Sequence, residues 1–228
     1  MNSPVVISLG GSLIVPDGID TEFLSGFKKL IEEEVEKGKS FVIVTGGGKV
    51  CRRYQAAGKE IADFSQTEID WLGIHVLRLN AEFVRMLFGA LAHERVVIEP
   101  SDLKSVTKPI VLCGAEAPGH STDFDAVEMA VQVGAQRIVN LSNIDFVYDK
   151  DPKRFVDAVK IARISWSAFR KIIPEKWEPG LNSPFDPIAA ARAQELGLEV
   201  AIMNGKPPTH LADYLTGKSF VGTVISDK

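Results

Sequence analysis

Short apolar runs that stop at turn residues, alternating with longer stretches of helical spacing, constrain this chain more than any other feature. Val5–Leu9, Phe41–Thr45 and Ile110–Cys113, with residues 96–99, 138–141 and 200–203, are rich in β-branched residues and show little polar alternation. Runs of that kind fit strands covered on both faces, as in a parallel sheet. Between them, residues 21–37, 67–93, 123–133 and 186–196 carry helical spacing. In the first of these, Leu24, Phe27, Leu30, Ile31 and Val35 form one stripe with acids opposite. Strands alternating with helices predict a layered α/β fold. Residues 146–182 break the rhythm. They hold Tyr148-Asp149-Lys150-Asp151-Pro152, Trp166, Trp177 and several prolines, and read as loops with a short strand and a short helix.

Charge and composition remove several classes of function. Lys plus Arg number 26 against 30 Asp plus Glu, a formal net charge of −4, which is not the footprint of a general nucleic-acid binder. Cys51 and Cys113 make neither a disulfide framework nor a metal pattern. No run approaches the roughly 18 apolar residues of a membrane span. Met1-Asn2-Ser3-Pro4 lacks the basic start and apolar run of a secretion signal. A cytoplasmic protein without a membrane or polynucleotide partner is expected. His75, His93 and His210 have no partners at ligand spacing, so no protein-built metal site is expected. The apolar stretch 71–91 is more hydrophobic than one surface helix needs, and reads as core or as a subunit contact.

The strand ends carry the chemistry. The first run enters Gly10-Gly11-Ser12, and the second enters Gly46-Gly47-Gly48-Lys49 with Arg52 and Arg53 following on a helical stretch. Without a Cβ, backbone N–H groups can approach an anion closely, and a helix N-terminus adds favourable potential. Lys49 adds mobile charge and Arg52 a bidentate fork. Gly10-Gly11 alone reads equally well as turn punctuation. Neither cluster has the spacing of a P-loop or of a dinucleotide fingerprint. Two more strand ends lead into Ala117-Pro118-Gly119-His120-Ser121-Thr122-Asp123 and Asn140-Leu141-Ser142-Asn143-Ile144-Asp145. In the former, Ser121, Thr122 or Asp123 can equally be a helix N-cap. Four polar strand ends argue for one ligand cleft beyond the carboxyl edge of a sheet.

In order along the chain, these pieces resemble the amino acid kinase superfamily, and within it the archaeal-type UMP kinases. Besides the glycine turns and the Pro118-Gly119-His120-Ser121-Thr122-Asp123 loop, the resemblance rests on Asp70-Trp71-Leu72-Gly73-Ile74 and Asn143-Ile144-Asp145 with Val147-Tyr148. Asp151-Pro152-Lys153, Phe185-Asp186-Pro187-Ile188-Ala189-Ala190 and Gly222-Thr223-Val224-Ile225 complete it. It implies a three-layer αβα sandwich with a mainly parallel central sheet, a single domain over residues 1–228. About residues 1–135 would form the acceptor lobe and about 136–228 the ATP lobe. It implies transfer of the γ-phosphoryl group of Mg-ATP to UMP, a step of pyrimidine biosynthesis, with Mg²⁺ held by nucleotide phosphates and water. Gly47, Asp70, Glu116, Ala117, Pro118, Gly119, His120, Ser121 and Thr122 would hold UMP. Gly48, Arg52, Ser142, Asn143, Tyr148 and Asp151 would surround ATP. Gly10, Gly11, Ser12 and Lys49 would meet the transferred group. A homo-oligomer, a homo-hexamer built from dimers, is the implied assembly.

The chain departs from the family pattern at several places. Ser8 stands where many members carry a lysine that neutralises the transferring phosphate. Phe146 replaces a glycine, and Glu116 a hydroxyl residue. The segment Asp123-Phe124-Asp125-Ala126-Val127 reads as two residues longer than the short archaeal form, so Asp123 and Asp125 compete for the helix-start role. Two alternatives stay beside the UMP reading: a superfamily kinase for another small phosphate or carboxylate, and a nucleotide or oxyanion sensor that Ser8 would suit.

Overall fold

In the computed structural model, which describes residues 3–176 and 183–228, β1 (Val5–Leu9) shows how a doubly covered strand is built. Val6 faces one hydrophobic cluster while Ile7 and Leu9 face the other, and all three are fully buried. The chain then runs through α1 (Gly11–Ile14), α2 (Thr21–Glu36), β2 (Phe41–Thr45), α3 (Gly48–Ile61), α4 (Gln66–Phe88), β3 (Ile110–Cys113), α5 (Thr122–Val133) and β4 (Arg137–Ser142). Next come the two-residue strands β5 (Val147–Tyr148), β6 (Lys160–Ile161) and β7 (Arg163–Ile164), then α6 (Trp166–Phe169), α7 (Pro187–Glu195), β8 (Glu199–Asn204), α8 (Thr209–Leu215) and β9 (Thr223–Ile225).

Seven of these strands form one sheet in the order β3-β2-β1-β4-β8-β9-β7, and β5 pairs with β6 outside it. Every pair in the sheet is parallel except β8 with β9. Phe23, Phe27 and Ile31 of α2, Val84 and Phe88 of α4 and Leu211 of α8 cover one face. Ala126, Val127 and Met129 of α5 with Ala189, Ala190 and Ala193 of α7 cover the other. The result is a three-layer αβα sandwich on a mainly parallel sheet.

Local chemistry sets the helix boundaries. Ser65 and Glu68 form a reciprocal capping box at the start of α4. Asp20 accepts the Phe23 N–H at the start of α2, and Asp186, followed by Pro187, accepts the Ala189 N–H at the start of α7. Gly89, at φ +52°, ends α4, so the helix read over 67–93 stops at Phe88. Residues 96–99 are not a strand. They touch β3 through one isolated bridge, Val97 to Cys113, before Pro100 turns the chain into a 3-10 helix. Within 146–182, three two-residue strands appear where one was read. Trp166 is fully buried, with its Nε1 donating to Leu198 O at 2.8 Å, whereas Trp177 and the Met1-Asn2 start lie outside the described residues. No helix among the described residues is long and apolar enough to cross a membrane.

Candidate active site

The carboxyl ends of β1 and β2 bring the two glycine turns into backbone contact. A Cβ on Gly11 would lie 2.1 Å from Gly48 N, and one on Gly48, which sits at φ +67°, would lie 2.4 Å from Gly11 O. The glycines are therefore required twice, for the turn and for the mutual approach. Gly10 donates its N–H to Leu141 O at 2.8 Å, and Gly46 donates to Leu9 O at 2.9 Å. Gly10 thus serves the turn by its backbone shape, its own N–H being already engaged, and Gly11 and Ser12 begin α1.

Beside this junction lies a cavity of ≈ 230 Å³ lined by Gly47, Gly48, Cys51, Arg52, Asp70, Pro118, His120, Ser121 and Thr122, among others. One face of α4 builds its floor: Asp70, Gly73, Ile74 and Leu77 are spaced at i, i+3, i+4 and i+7. Asp70 Oδ2 accepts the Gly119 N–H at 3.0 Å. Arg78 Nε and Nη2 both donate to Ala115 O, at 3.1 and 2.8 Å, and Nη2 also reaches Glu116 O at 3.2 Å. Asn80 Nδ2 donates to Gly46 O at 2.9 Å, and Thr45 Oγ1 to Leu77 O at 2.9 Å. One helix thus holds both the glycine turn and the 115–122 loop. Glu116 and Ala117 stand exposed at the loop's tip, outside the cavity lining. Burial raises the Asp70 carboxyl above the usual range, against the pull of the Gly119 N–H. Burial likewise pushes the Cys51 thiol up, which fits a packing role.

The two acids that competed for the helix start have separate places. Ser121 is the N-cap of α5, its Oγ accepting the Asp123 N–H at 3.2 Å. Asp123 Oδ1 accepts from Ser8 Oγ at 3.0 Å and Asn140 Nδ2 at 2.8 Å, and its Oδ2 accepts from Asp186 N at 3.2 Å. It therefore ties β1, β4 and the start of α7 together. Burial pushes it up to about 6, against the hydrogen bond from Ser8. Asp125 instead faces the loop, with Oδ1 3.6 Å from His120 Nδ1. Among the described residues, neither Asp125 Oδ2 nor His120 Nδ1 has a hydrogen-bond partner. Burial, then the charges of Glu116 and Asp123, push Asp125 up to about 8. Where the family lysine would stand, Ser8 presents a hydroxyl to Asp123 and no positive charge.

The far side of the junction is built differently. Ser142 meets the Gly10 turn, since a Cβ on Gly10 would lie 3.5 Å from Ser142 Cα, and its Oγ is buried without a partner among the described residues. Asn143 is exposed, Tyr148 sits half-buried in β5, and exposed Asp151 accepts the Lys153 N–H at 2.9 Å. Lys49 points away from the cavity to Asp17, 3.0 Å from its Oδ1, which Arg53 shares at 3.2 Å. Among the described residues, no group of three or more His, Cys, Asp or Glu could hold a metal ion. Gly47, Gly48, Arg52, Asp70, Pro118, His120, Ser121 and Thr122 thus meet at one cavity, and Gly11, between Gly10 and Ser12, packs against Gly48 in its wall. Asn143, Tyr148 and Asp151 follow the excursion outward. Arg78 and Asn80 escaped the sequence reading; a charged residue two turns beyond Asp70, inside an apolar stretch, was the available signal.

Residues 3–204 match the model of the amino acid kinase family. A uridylate kinase of Thermococcus kodakarensis is 33% identical over 224 residues, covering 97% of this chain and 98% of that protein. The crystal structure of uridylate kinase from Archaeoglobus fulgidus superposes with a TM-score of 0.83 at 31% identity, covering 98% of this chain and all of that one. At 20% identity, the UMP kinase of Bacillus anthracis shares the fold, with a TM-score of 0.79 over 99% of this chain and 96% of its own.

Proposed function

The chain belongs to the amino acid kinase family, and from that premise we propose that it is a UMP kinase, transferring the γ-phosphoryl group of ATP to UMP. The observation that carries this reading is the single cavity in which the Pro118-Gly119-His120-Ser121-Thr122 loop faces the triple-glycine turn and Arg52. UMP occupies that cavity, with Gly47, Asp70 and the loop from Glu116 to Thr122 around it. ATP lies over the carboxyl ends of β4 and β8, near Gly48, Ser142, Asn143, Tyr148 and Asp151. The Gly10-Gly11-Ser12 turn stands between the two phosphates, and residues 1–135 and 136–228 act as acceptor and ATP lobes of one domain. Arg52 lines the acceptor cavity, so its fork serves the place where the phosphates face each other rather than the adenosine end.

The chemistry asks little of acid–base groups. The second pKa of a phosphate monoester is about 6, so the attacking UMP oxygen is already ionised at pH 7. Alignment of two anions and neutralisation of charge on the transferring group are what the protein must supply. Mg²⁺ would supply charge neutralisation on the phosphates when bound with ATP. Of the acids beside the junction, Asp123 is committed to Ser8 and Asn140, and Asp186 gives one oxygen to the α7 cap, so a metal ion there would be held mainly by nucleotide oxygens and water. Exposed Trp71, Leu79 and Met86 along α4 and Ile61 on α3 suit a contact between copies in a homo-oligomer. Cytoplasm, where UMP and ATP are made and used, is the matching compartment. Incubated with Mg-ATP, the purified protein is expected to convert UMP to UDP well ahead of CMP or AMP. Absence of UMP turnover, with ADP released against another small phosphate or carboxylate, would move it to a different acceptor; nucleotide binding without any ADP release would make it a sensor.

A further inference from the structure

Ser8 leaves the transferring phosphoryl group without its usual lysine, and Lys49 is held at the rim by Asp17. Another cation lies on the ATP side. β8 ends at Asn204, which pairs with Ser142 on β4, and Leu141 on β4 pairs with Leu9 on β1. Gly205 continues from β8, donating to Ser142 O at 3.0 Å, and it packs against α1: a Cβ there would lie 2.5 Å from Leu13 Cδ1. Lys206 follows. Its N–H is held by Asn204 Oδ1 at 3.0 Å, while Asn204 Nδ2 holds Asp145 Oδ1 at 2.8 Å. Its Nζ pairs with Asp20, the N-cap of α2, and Asp20 N in turn bonds the end of α1 at Ile14 O, 2.9 Å. The lysine is thus fixed at its root to the ATP-side segment, and its ammonium lies at the start of α2, on Asp20 and 5.9 Å from the centre of the Phe23 ring. Two strand spacings separate β8 from β1, about 10 Å, which a lysine stem and a phosphoryl group span together.

We propose that Lys206 is a catalytic residue that contacts the γ-phosphoryl group from the ATP side, supplying the positive charge that Ser8 cannot, with Asp20 holding its ammonium until nucleotide arrives. The proposal rests on the UMP kinase reading for the acceptor but not for the contact itself. In the step it serves, a UMP phosphate oxygen bonds to the γ-phosphorus as the bond to the β,γ-bridging oxygen breaks. That oxygen leaves with the electron pair on ADP, and no proton moves. Lysine acts on the oxygens of the group in flight as a compact point charge.

The test compares Lys206→Met, Lys206→Arg and Asp20→Asn with the wild type, using calorimetric binding of Mg²⁺ with adenylyl imidodiphosphate and with ADP, beside UMP turnover. Lys206→Met is expected to weaken the triphosphate analogue about 10-fold or more while leaving ADP within about 2-fold, and to lower kcat about 100-fold. Lys206→Arg regains part of both. Asp20→Asn keeps the N-cap acceptor but no longer holds the ammonium as a counter-charge, so the triphosphate analogue is expected to bind at least as tightly as to wild type. Equal losses for analogue and ADP, unchanged analogue binding, or an Asp20→Asn defect as large as that of Lys206→Met would overturn the proposal and leave a structural ion pair. The binding arm needs no UMP. A wild type that binds the analogue but ignores UMP sinks the acceptor assignment alone, while a Lys206→Met protein with full analogue affinity sinks this contact alone.

Discussion

The two sides of the junction, proposed for the acceptor and for ATP, obtain their shape by different means. On the acceptor side, α4 reaches across to fix main-chain atoms: Arg78 to the carbonyls of Ala115 and Glu116, Asp70 to the Gly119 N–H and Asn80 to Gly46 O. On the ATP side, two-residue strands and local turns dominate. Asp149 Oδ1 accepts the Val159 N–H, Asp151 accepts the Lys153 N–H, and Val156 is fully exposed. A wall held by a helix of 23 residues should need less ordering by its ligand than one held by short-range turn bonds. On the proposed reading, acceptor selectivity would be built on the side whose main-chain atoms α4 fixes.

The largest expected effect strikes the seam that both sides share. Gly48→Ala places a Cβ against Gly11 O at a positive φ, and should lower kcat by at least about 100-fold, since a misplacement near 1 Å costs that much. Turnover with a parallel thermal melt checks it, and a variant within 10-fold of wild type would dissolve the shared seam. A smaller effect separates the two sides. Arg78→Met removes charge-assisted bonds worth about 1.5–3 kcal/mol, so KM for UMP should rise about 10- to 100-fold with KM for ATP little changed. Asp149→Ala should do the reverse by a few-fold; if both variants disturb both substrates alike, the contrast is broken.

The smallest effect concerns stability. Asp125 is nearly buried and pushed up to about 8, against about 3.9 in an unfolded chain. The folded state therefore binds the proton more tightly, so this group's favourable contribution is full below pH 4 and lost as pH rises toward 8. Asp125→Asn removes that loss. The melting temperature of the variant should fall less than that of wild type between pH 5 and pH 8.5, by a few degrees. Parallel curves would mean that Asp125 is not the group that titrates.

Strand ends and layers were legible because doubly covered strands leave a signal that polarity cannot blur: β1, β2 and β3 match their apolar runs to the residue. Residues 96–99 have the same composition yet meet the sheet edge through one bridge, and composition does not report partners. α8 buries only Leu211, too little to show a stripe. In the site, the glycine turns and the 118–123 loop could be read because small residues and hydroxyls at strand ends are rare enough to notice. Arg78 left only a faint signal, a charge two turns beyond Asp70 inside an apolar stretch, and that signal does not say that its guanidinium clasps two carbonyls. The split between Asp123 and Asp125 also needed coordinates. Two acids in one helical turn differ only in the direction each faces.

One consequence concerns the order of synthesis. β9 lies between β8 and β7, and Thr223 Oγ1 accepts the Val147 N–H at 2.8 Å, joining the β5–β6 hairpin to the sheet. Residues 223–225 therefore leave the ribosome after everything they pin in place. The acceptor wall can form while translation continues, but β7 has no neighbour in the sheet until β9 emerges. The nascent protein would acquire the cavity beside its glycine turns before the β8–β9–β7 side of the sheet closes.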